Sequence, residues 1–205
     1  MKTLTKLAIA SILGLVVSTA ANASLIVNGG FEDNDVNGGA GGWQWYSASD
    51  VNGWDGSNIE IWQDFGSIGA YEGEQHAELN AHPNGGDVFS IFQTFSTVEG
   101  ASYELFFAYG ARRSDNEAFQ VELLGASTLL DQLIDDHTVN NVWETFSYTF
   151  TADSSETTLR FTAITPDTGT VGNFLDGISD VAVPAPGTLL LLGGALNGFG
   201  LRRKQ

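Results

Sequence analysis

Four of the five tryptophans fall between residues 43 and 62: Trp43, Trp45, Trp54 and Trp62. Tyr46 and Tyr71 stand beside them, and Gln44, Asp50, Asp55, Asn58, Glu60 and Gln63 are interspersed. A pyranose ring has apolar C–H faces and a rim of hydroxyls. A site for it needs flat aromatic rings with carboxylates and amides in reach. The cluster therefore points to carbohydrate binding. Trp43, Trp45 and Tyr46 adjoin the glycine-rich run 37–42, where a loop is expected and burial is not. Trp54 and Trp62 have packing as an alternative, Trp62 because it ends the alternating run 59–62.

Catalysis has weaker support. Glycoside hydrolysis needs two carboxylates roughly 5–10 Å apart. Glu60 and Glu78 could face each other across strands, but 25 acids always supply some pair, so this one carries no weight. No nucleophile elbow or Ser–His–Asp order is present. A non-catalytic protein is expected. His76, His82 and His137 are scattered without metal-ligand spacing and read as surface or loop residues. Arg112 and Arg113 could clamp an anionic sugar; the favoured expectation is that they are solvated neighbours of Asp115 and Glu117.

Charge narrows the partners. Five of the eight lysines and arginines lie at the two ends of the chain, at Lys2, Lys6, Arg202, Arg203 and Lys204. Between residues 24 and 183, 25 acids meet only Arg112, Arg113 and Arg160, a net of −22 with no lysine. Such a surface repels nucleic acid and anionic lipid headgroups. It attracts divalent cations and favours solubility. Cysteine is absent, so disulfides, thiolate zinc sites and iron–sulfur clusters are excluded.

These side chains must be positioned by strands. Phe146, Tyr148 and Phe150 alternate with Ser147 and Thr149. Similar alternation runs through Tyr103, Leu105 and Phe107, through Phe119, Val121 and Leu123, and through Leu159, Phe161 and Ala163. Period two with aromatic and β-branched residues marks half-buried strands. Runs 25–27, 58–62, 75–80, 88–95, 129–134 and 174–181 add further candidates, separated by Gly, Asn, Asp and Ser turns. The prediction is an all-β, two-sheet antiparallel jelly-roll sandwich over 24–183, large enough for one core.

The two ends are built otherwise. Lys2 and Lys6 precede the apolar run 7–17, and Ala21-Asn22-Ala23 supplies small residues before a cleavage point at Ser24. Residues 1–23 therefore read as a signal peptide and its helix. At the other end, Pro184-Ala185-Pro186 precedes the short apolar run 189–201 and Arg202-Arg203-Lys204-Gln205. The apolar run is shorter than the roughly 20 residues that span a bilayer comfortably. This order resembles the PEP-CTERM sorting signal of Gram-negative bacteria. The resemblance makes Pro184 and Pro186 the motif prolines, 189–201 a short transmembrane helix, and Arg202 and Arg203 the cytoplasmic stop. Ala185 stands where the family has Glu. The resemblance implies an exosortase-type membrane transpeptidase as partner, transient residence in the inner membrane, and delivery of the chain to the cell surface or exterior.

A second resemblance covers 24–183. Asn28-Gly29-Gly30-Phe31-Glu32, Gly53-Trp54, the run 90–95, the run 99–105 and Phe174-Leu175-Asp176-Gly177-Ile178 follow one another as in galactose-binding-domain-like jelly rolls, which include many carbohydrate-binding modules. The resemblance implies a structural calcium ion held by Glu32 and Asp176, with Asn28 a carbonyl donor, pinning the first strand to the last. The same carboxylates could instead satisfy backbone N–H groups at turns. The functional expectation is an exported, non-catalytic β-sandwich that binds carbohydrate or associates with exopolysaccharide. The alternatives are a structural or adhesive biofilm-matrix component without a sugar site and, less favoured, a glycan-active enzyme.

Overall fold

The computed structural model describes residues 23–36, 41–66, 68–83, 86–113, 116–135 and 142–184. Residues 1–22, expected to form most of a signal peptide, and residues 185–205, including Pro186, Arg202 and Arg203, lie outside these residues, as do Asp115 and His137. Among the described residues no helix is long and apolar enough to cross a membrane.

Among the described residues eleven strands form two antiparallel sheets. They are β1 (Gly42–Tyr46), β2 (Asp55–Gly56), β3 (Ile59–Gln63), β4 (Gln75–Glu78), β5 (Ser90–Ser96), β6 (Ser102–Gly110), β7 (Ala118–Leu124), β8 (Thr128–Ile134), β9 (Glu144–Thr151), β10 (Glu156–Thr165) and β11 (Phe174–Val183). One sheet has the order β1-β3-β4-β11-β6-β9 and the other β2-β5-β10-β7-β8. The last eight strands repeatedly cross between the sheets and pair as β4-β11-β6-β9 against β5-β10-β7-β8. That is a jelly roll, extended here by β1, β2 and β3.

The alternation read in the sequence is realised. In β10, Thr157, Leu159, Phe161 and Ala163 are buried while the residues between them are more exposed. The inner faces interlock through aromatic rings. Phe107 of the six-stranded sheet meets Phe161 of the other edge-on, with centroids 5.1 Å apart. Phe119 packs on both, at 6.1 Å and 5.9 Å. Each fully buried phenylalanine contributes about 1.5–3 kcal/mol of transfer free energy.

Two sequence expectations are corrected here. Residues 25–27 form no strand, although Ile26 is buried in the core. Trp43, Trp45 and Tyr46 are not on a loop: they belong to β1, an edge strand paired with β3. The glycines before them made a loop the natural reading, yet Gly41 and Gly42, at φ 78° and 130°, only turn the chain into the strand.

The turn 28–32 clasps β11. Gly29 lies so close to it that a Cβ there would sit 1.8 Å from the Ile178 carbonyl oxygen. Ile178 N donates to Gly29 O at 3.0 Å. Opposite this contact, the β11–β6 register shifts between Asp176 and Ser179, with Gly177 at φ 57°. The bulge turns β11 to receive the turn.

Candidate functional site

Directly opposed residues of an antiparallel ladder point to the same face. Trp43 stands opposite Trp62, and Trp45 opposite Glu60. Glu60 stands opposite Glu78, Trp62 opposite His76, and Glu78 opposite Phe174. Ile59, Ile61 and Ala77, the intervening positions, belong to the core. One outer face therefore gathers Trp43, Trp45, Glu60, Trp62, His76, Glu78 and Phe174.

Only the rim of this face is open. Trp43 and Trp45 are 38% and 39% exposed, against 4% for Trp62. The two exposed rings are two residues apart on one strand, so their Cα atoms are roughly 7 Å apart. No charged side chain interrupts β1, whose sequence is Gly-Trp-Gln-Trp-Tyr. Tyr46 takes the opposite face: it packs against the core and donates from its hydroxyl to Asp35 O at 3.1 Å. Burial, with Asp35 adding to it, pushes its phenol up from the ordinary value. At the Gly42–Gln63 end of β1 and β3 lies a hollow of about 300 Å³, lined by Glu32, Asp33, Asn34, Asp35, Gln63 and Glu74 among others. Its wall is rich in oxygen acceptors suited to hydroxyl donors.

Trp54 and Trp62 are not binding rings, which corrects the expectation for both. Trp54 is buried, stacked on Phe31 at 5.4 Å, and its indole N–H donates to Asn28 O at 3.1 Å. Trp62 is covered by the segment between β3 and β4. Phe65 lies edge-on to it at 5.0 Å, and Ile68 and Phe174 share its cluster. The indole N–H of Trp143, the fifth tryptophan, ties this cover down by donating to Gly69 O at 2.8 Å.

A polar group is buried beside Trp62. Arg112 lies over its ring at 4.5 Å, and Arg112 Nη1 donates to both oxygens of Glu78 at 2.9 and 2.8 Å. The partner of Arg112 is thus Glu78. Glu117 instead accepts the backbone N–H groups of Arg112 and Arg113. Glu78 also accepts Gly172 N at 2.7 Å. Its burial pushes the carboxyl up to about 8, although Arg112 and Gly172 pull it down. Glu60 accepts the Trp62 indole N–H at 2.8 Å and His82 N at 3.1 Å. The two acids do oppose each other, but both are buried and both carry protein donors.

His76 is a feature the sequence reading placed wrongly on the surface. It is 1% exposed and packs edge-on against Phe174 at 4.9 Å and Trp143 at 5.4 Å. Neither ring nitrogen has a hydrogen-bond partner. Burial pushes its pKa down to about 4, so it is neutral at pH 7. The signal that could have revealed this burial is the apolar Phe65, Ile68 and Tyr71 in an otherwise polar connection, which must cover something.

Glu32 and Asp176 meet the same segment. Glu32 Oε1 accepts Glu74 N at 2.7 Å and Gln75 N at 2.9 Å. Asp176 Oδ2 accepts Tyr71 N and Glu72 N, and its Oδ1 accepts Gly177 N, at 2.7–3.1 Å. Burial pushes Asp176 up to about 7 despite these donors. Asn28 spends its carbonyl on Trp54 and Phe31 N. Oxygen donors suit calcium, but here they hold backbone N–H groups. Among the described residues no three His, Asp or Glu side chains group as a cation site.

The fold and face define a jelly-roll β-sandwich with an aromatic rim on its six-stranded sheet. The chain belongs to the DUF642 family, described as a protein of unknown function, whose match covers residues 24–181. Halomucin of Haloquadratum walsbyi (strain DSM 16790 / HBSQ001) is 27% identical over 177 residues, which is 82% of this chain and 2% of that protein. The chain thus spans a very small part of that relative. The structure of the Stig cyclase Fisc from Fischerella sp. TAU, bound to an indole compound, is 19% identical with a TM-score of 0.58, covering 81% of this chain and 100% of that one. Carbohydrate-binding modules are among the similar structures. Family 16 carbohydrate binding module-2 is 18% identical over 77% of this chain and 99% of its own, at a TM-score of 0.47.

The cyclase corrects the expectation that the chain is non-catalytic. An enzyme shares this fold, so neither the sandwich nor the missing nucleophile motif excludes catalysis. At 19% identity the likeness shows the fold alone.

Proposed function

We propose that this is an exported protein that binds neutral carbohydrate along the β1 rim of its six-stranded sheet. Trp43 and Trp45 carry the reading. They are exposed on one side of an uncharged edge strand, in a protein whose other surface is strongly acidic. Large exposed rings are an association hazard unless a ligand covers them. Two rings in line suit the apolar faces of sugar units. The net charge opposes polyanions.

In the same reading, residues 1–23 are removed on passage through the inner membrane of a Gram-negative cell. Residues 184–205, with Pro184, Pro186, Arg202 and Arg203, are then read by an exosortase-type transpeptidase after brief residence in the membrane. The protein is delivered to the cell surface or to an exopolysaccharide matrix. The family match at 24–181 supports this division by leaving both segments outside it.

A glycan array tests the binding. Retention on a class of neutral glycans, lost in Trp43→Ala and Trp45→Ala, supports the proposal; no retention on any neutral glycan contradicts it. Intact-mass measurement of the exported protein tests the addressing, through the residues present at each end.

A further inference from the structure

The start of the described fold is held by a single carboxylate. Asp180 of β11 is fully buried. Its Oδ1 accepts Leu25 N at 2.8 Å, Ile26 N at 2.9 Å and the Ser24 hydroxyl at 3.2 Å. The Ser24 hydroxyl oxygen in turn accepts Asp180 N and Ile26 N, each at 3.1 Å. The other carboxylate oxygen, Oδ2, is buried and has no partner. A buried polar atom without a partner is costly, and a charged donor would match a carboxylate best.

The missing donor is one covalent step away. The nitrogen of Ser24 is separated from its own hydroxyl oxygen by only two carbons, and that oxygen already touches Asp180. In the uncut chain this nitrogen is a neutral amide bonded to Ala23. We propose that removal of the leader completes the site: the new Ser24 α-ammonium pairs with Asp180 Oδ2 and locks residues 24–26 onto β11. In the hydrolysis, water gives its oxygen to the Ala23 carbonyl carbon and the C–N bond breaks. Ala23 leaves as a carboxylate, and the Ser24 nitrogen takes the two protons released, becoming an ammonium. A signal peptidase supplies the catalysis.

The consequence is a fold that tightens after export. The precursor keeps the unpaired oxygen and is easier to unfold for threading through a membrane channel. The mature chain closes its first segment on its last strand. The step rests on the reading of residues 1–23 as a removable leader, and the test separates the two claims.

Three versions are compared by thermal melting: the chain beginning at a free Ser24, the same chain acetylated at Ser24, and the chain extended by Ala23. The free form should melt at least about 3 °C above the other two. In Asp180→Asn the difference between free and acetylated forms should vanish. Acylation of the Ser24 amine by an amine-reactive ester should also be at least about tenfold slower in the folded than in the unfolded protein, the ion pair giving about 1.4 kcal/mol of protection. This labelling still decides the matter if Asp180→Asn does not fold. Equal melts for free and acetylated protein, with an unprotected amine, would overturn the proposal. Sequencing the exported protein from its N-terminus tests the leader separately: a start other than Ser24 would defeat that reading and leave the melting comparison intact.

Discussion

Trp43 and Trp62 stand directly opposite each other in the β1–β3 ladder, yet one ring is 38% exposed and the other 4%. Trp62 is covered by the segment after β3, whose Phe65 and Ile68 pack on it. One sheet face is thereby split into a closed interior and an open rim.

Stability should report that split. Trp62→Ala removes a ring packed on three sides and should cost about 3–5 kcal/mol. Trp43→Ala removes a rim residue from an edge strand and should cost no more than about 1 kcal/mol. Urea denaturation of the two variants measures both. Similar losses would mean that the rim is part of the core.

The buried ion pair gives a second expectation. Arg112→Ala takes the cationic donor from the Glu78 carboxyl, which burial already holds up at about 8, so the carboxyl takes up a proton and stays buried short of a partner, at a cost of about 1–3 kcal/mol. Adding Glu78→Gln in the same chain should recover part of that loss above pH 8, where a carboxyl is driven to ionise and the amide is not. A double variant less stable than Arg112→Ala alone would show that Glu78 stabilises through Gly172 instead.

His76 predicts a pH effect. Its folded pKa of about 4 lies below its ordinary 6.5. Between these values the unfolded chain binds the proton and the folded one does not. The resulting stability is complete above pH 6.5 and is lost as pH falls towards 4. His76→Phe removes the titration and two unpaired nitrogens. The difference in unfolding free energy, variant minus wild type, should therefore grow as pH falls from 6.5 to 4. A difference constant across that range would place His76 in a wetter site.

How much of this was legible in the sequence follows from which face each residue meets. β6, β7, β9 and β10 were readable because their apolar members point inward against polar neighbours that point out. β1 was not, since its tryptophans are the outward members and glycines precede it. Gln75-His76-Ala77-Glu78 reads as polar, yet all four residues are buried, because the segment just before β4 and Trp143 cover one side. Trp54 was undecided between ligand and core, and only its stacking on Phe31 resolves it. The pairing of Arg112 with Glu78 spans 34 residues and leaves no local trace.

The clasp of Glu32 and Asp176 should need no metal. EDTA should leave the melting temperature unchanged, because the N–H groups of Tyr71, Glu72, Glu74, Gln75 and Gly177 already occupy these carboxylates. A fall of more than about 3 °C, reversed by calcium, would show an ion worth about 1 kcal/mol or more at this place.

The central claim is that β1 offers a sugar-binding rim independent of the core. Its most direct measurement is titration of a neutral polysaccharide against wild type and the Trp43→Ala/Trp45→Ala double variant, with the melting temperature of each recorded alongside. The account predicts binding weakened at least tenfold, about 1.4 kcal/mol, with melting lowered by only a few degrees. Unchanged affinity in the double variant, with the fold intact, would contradict it.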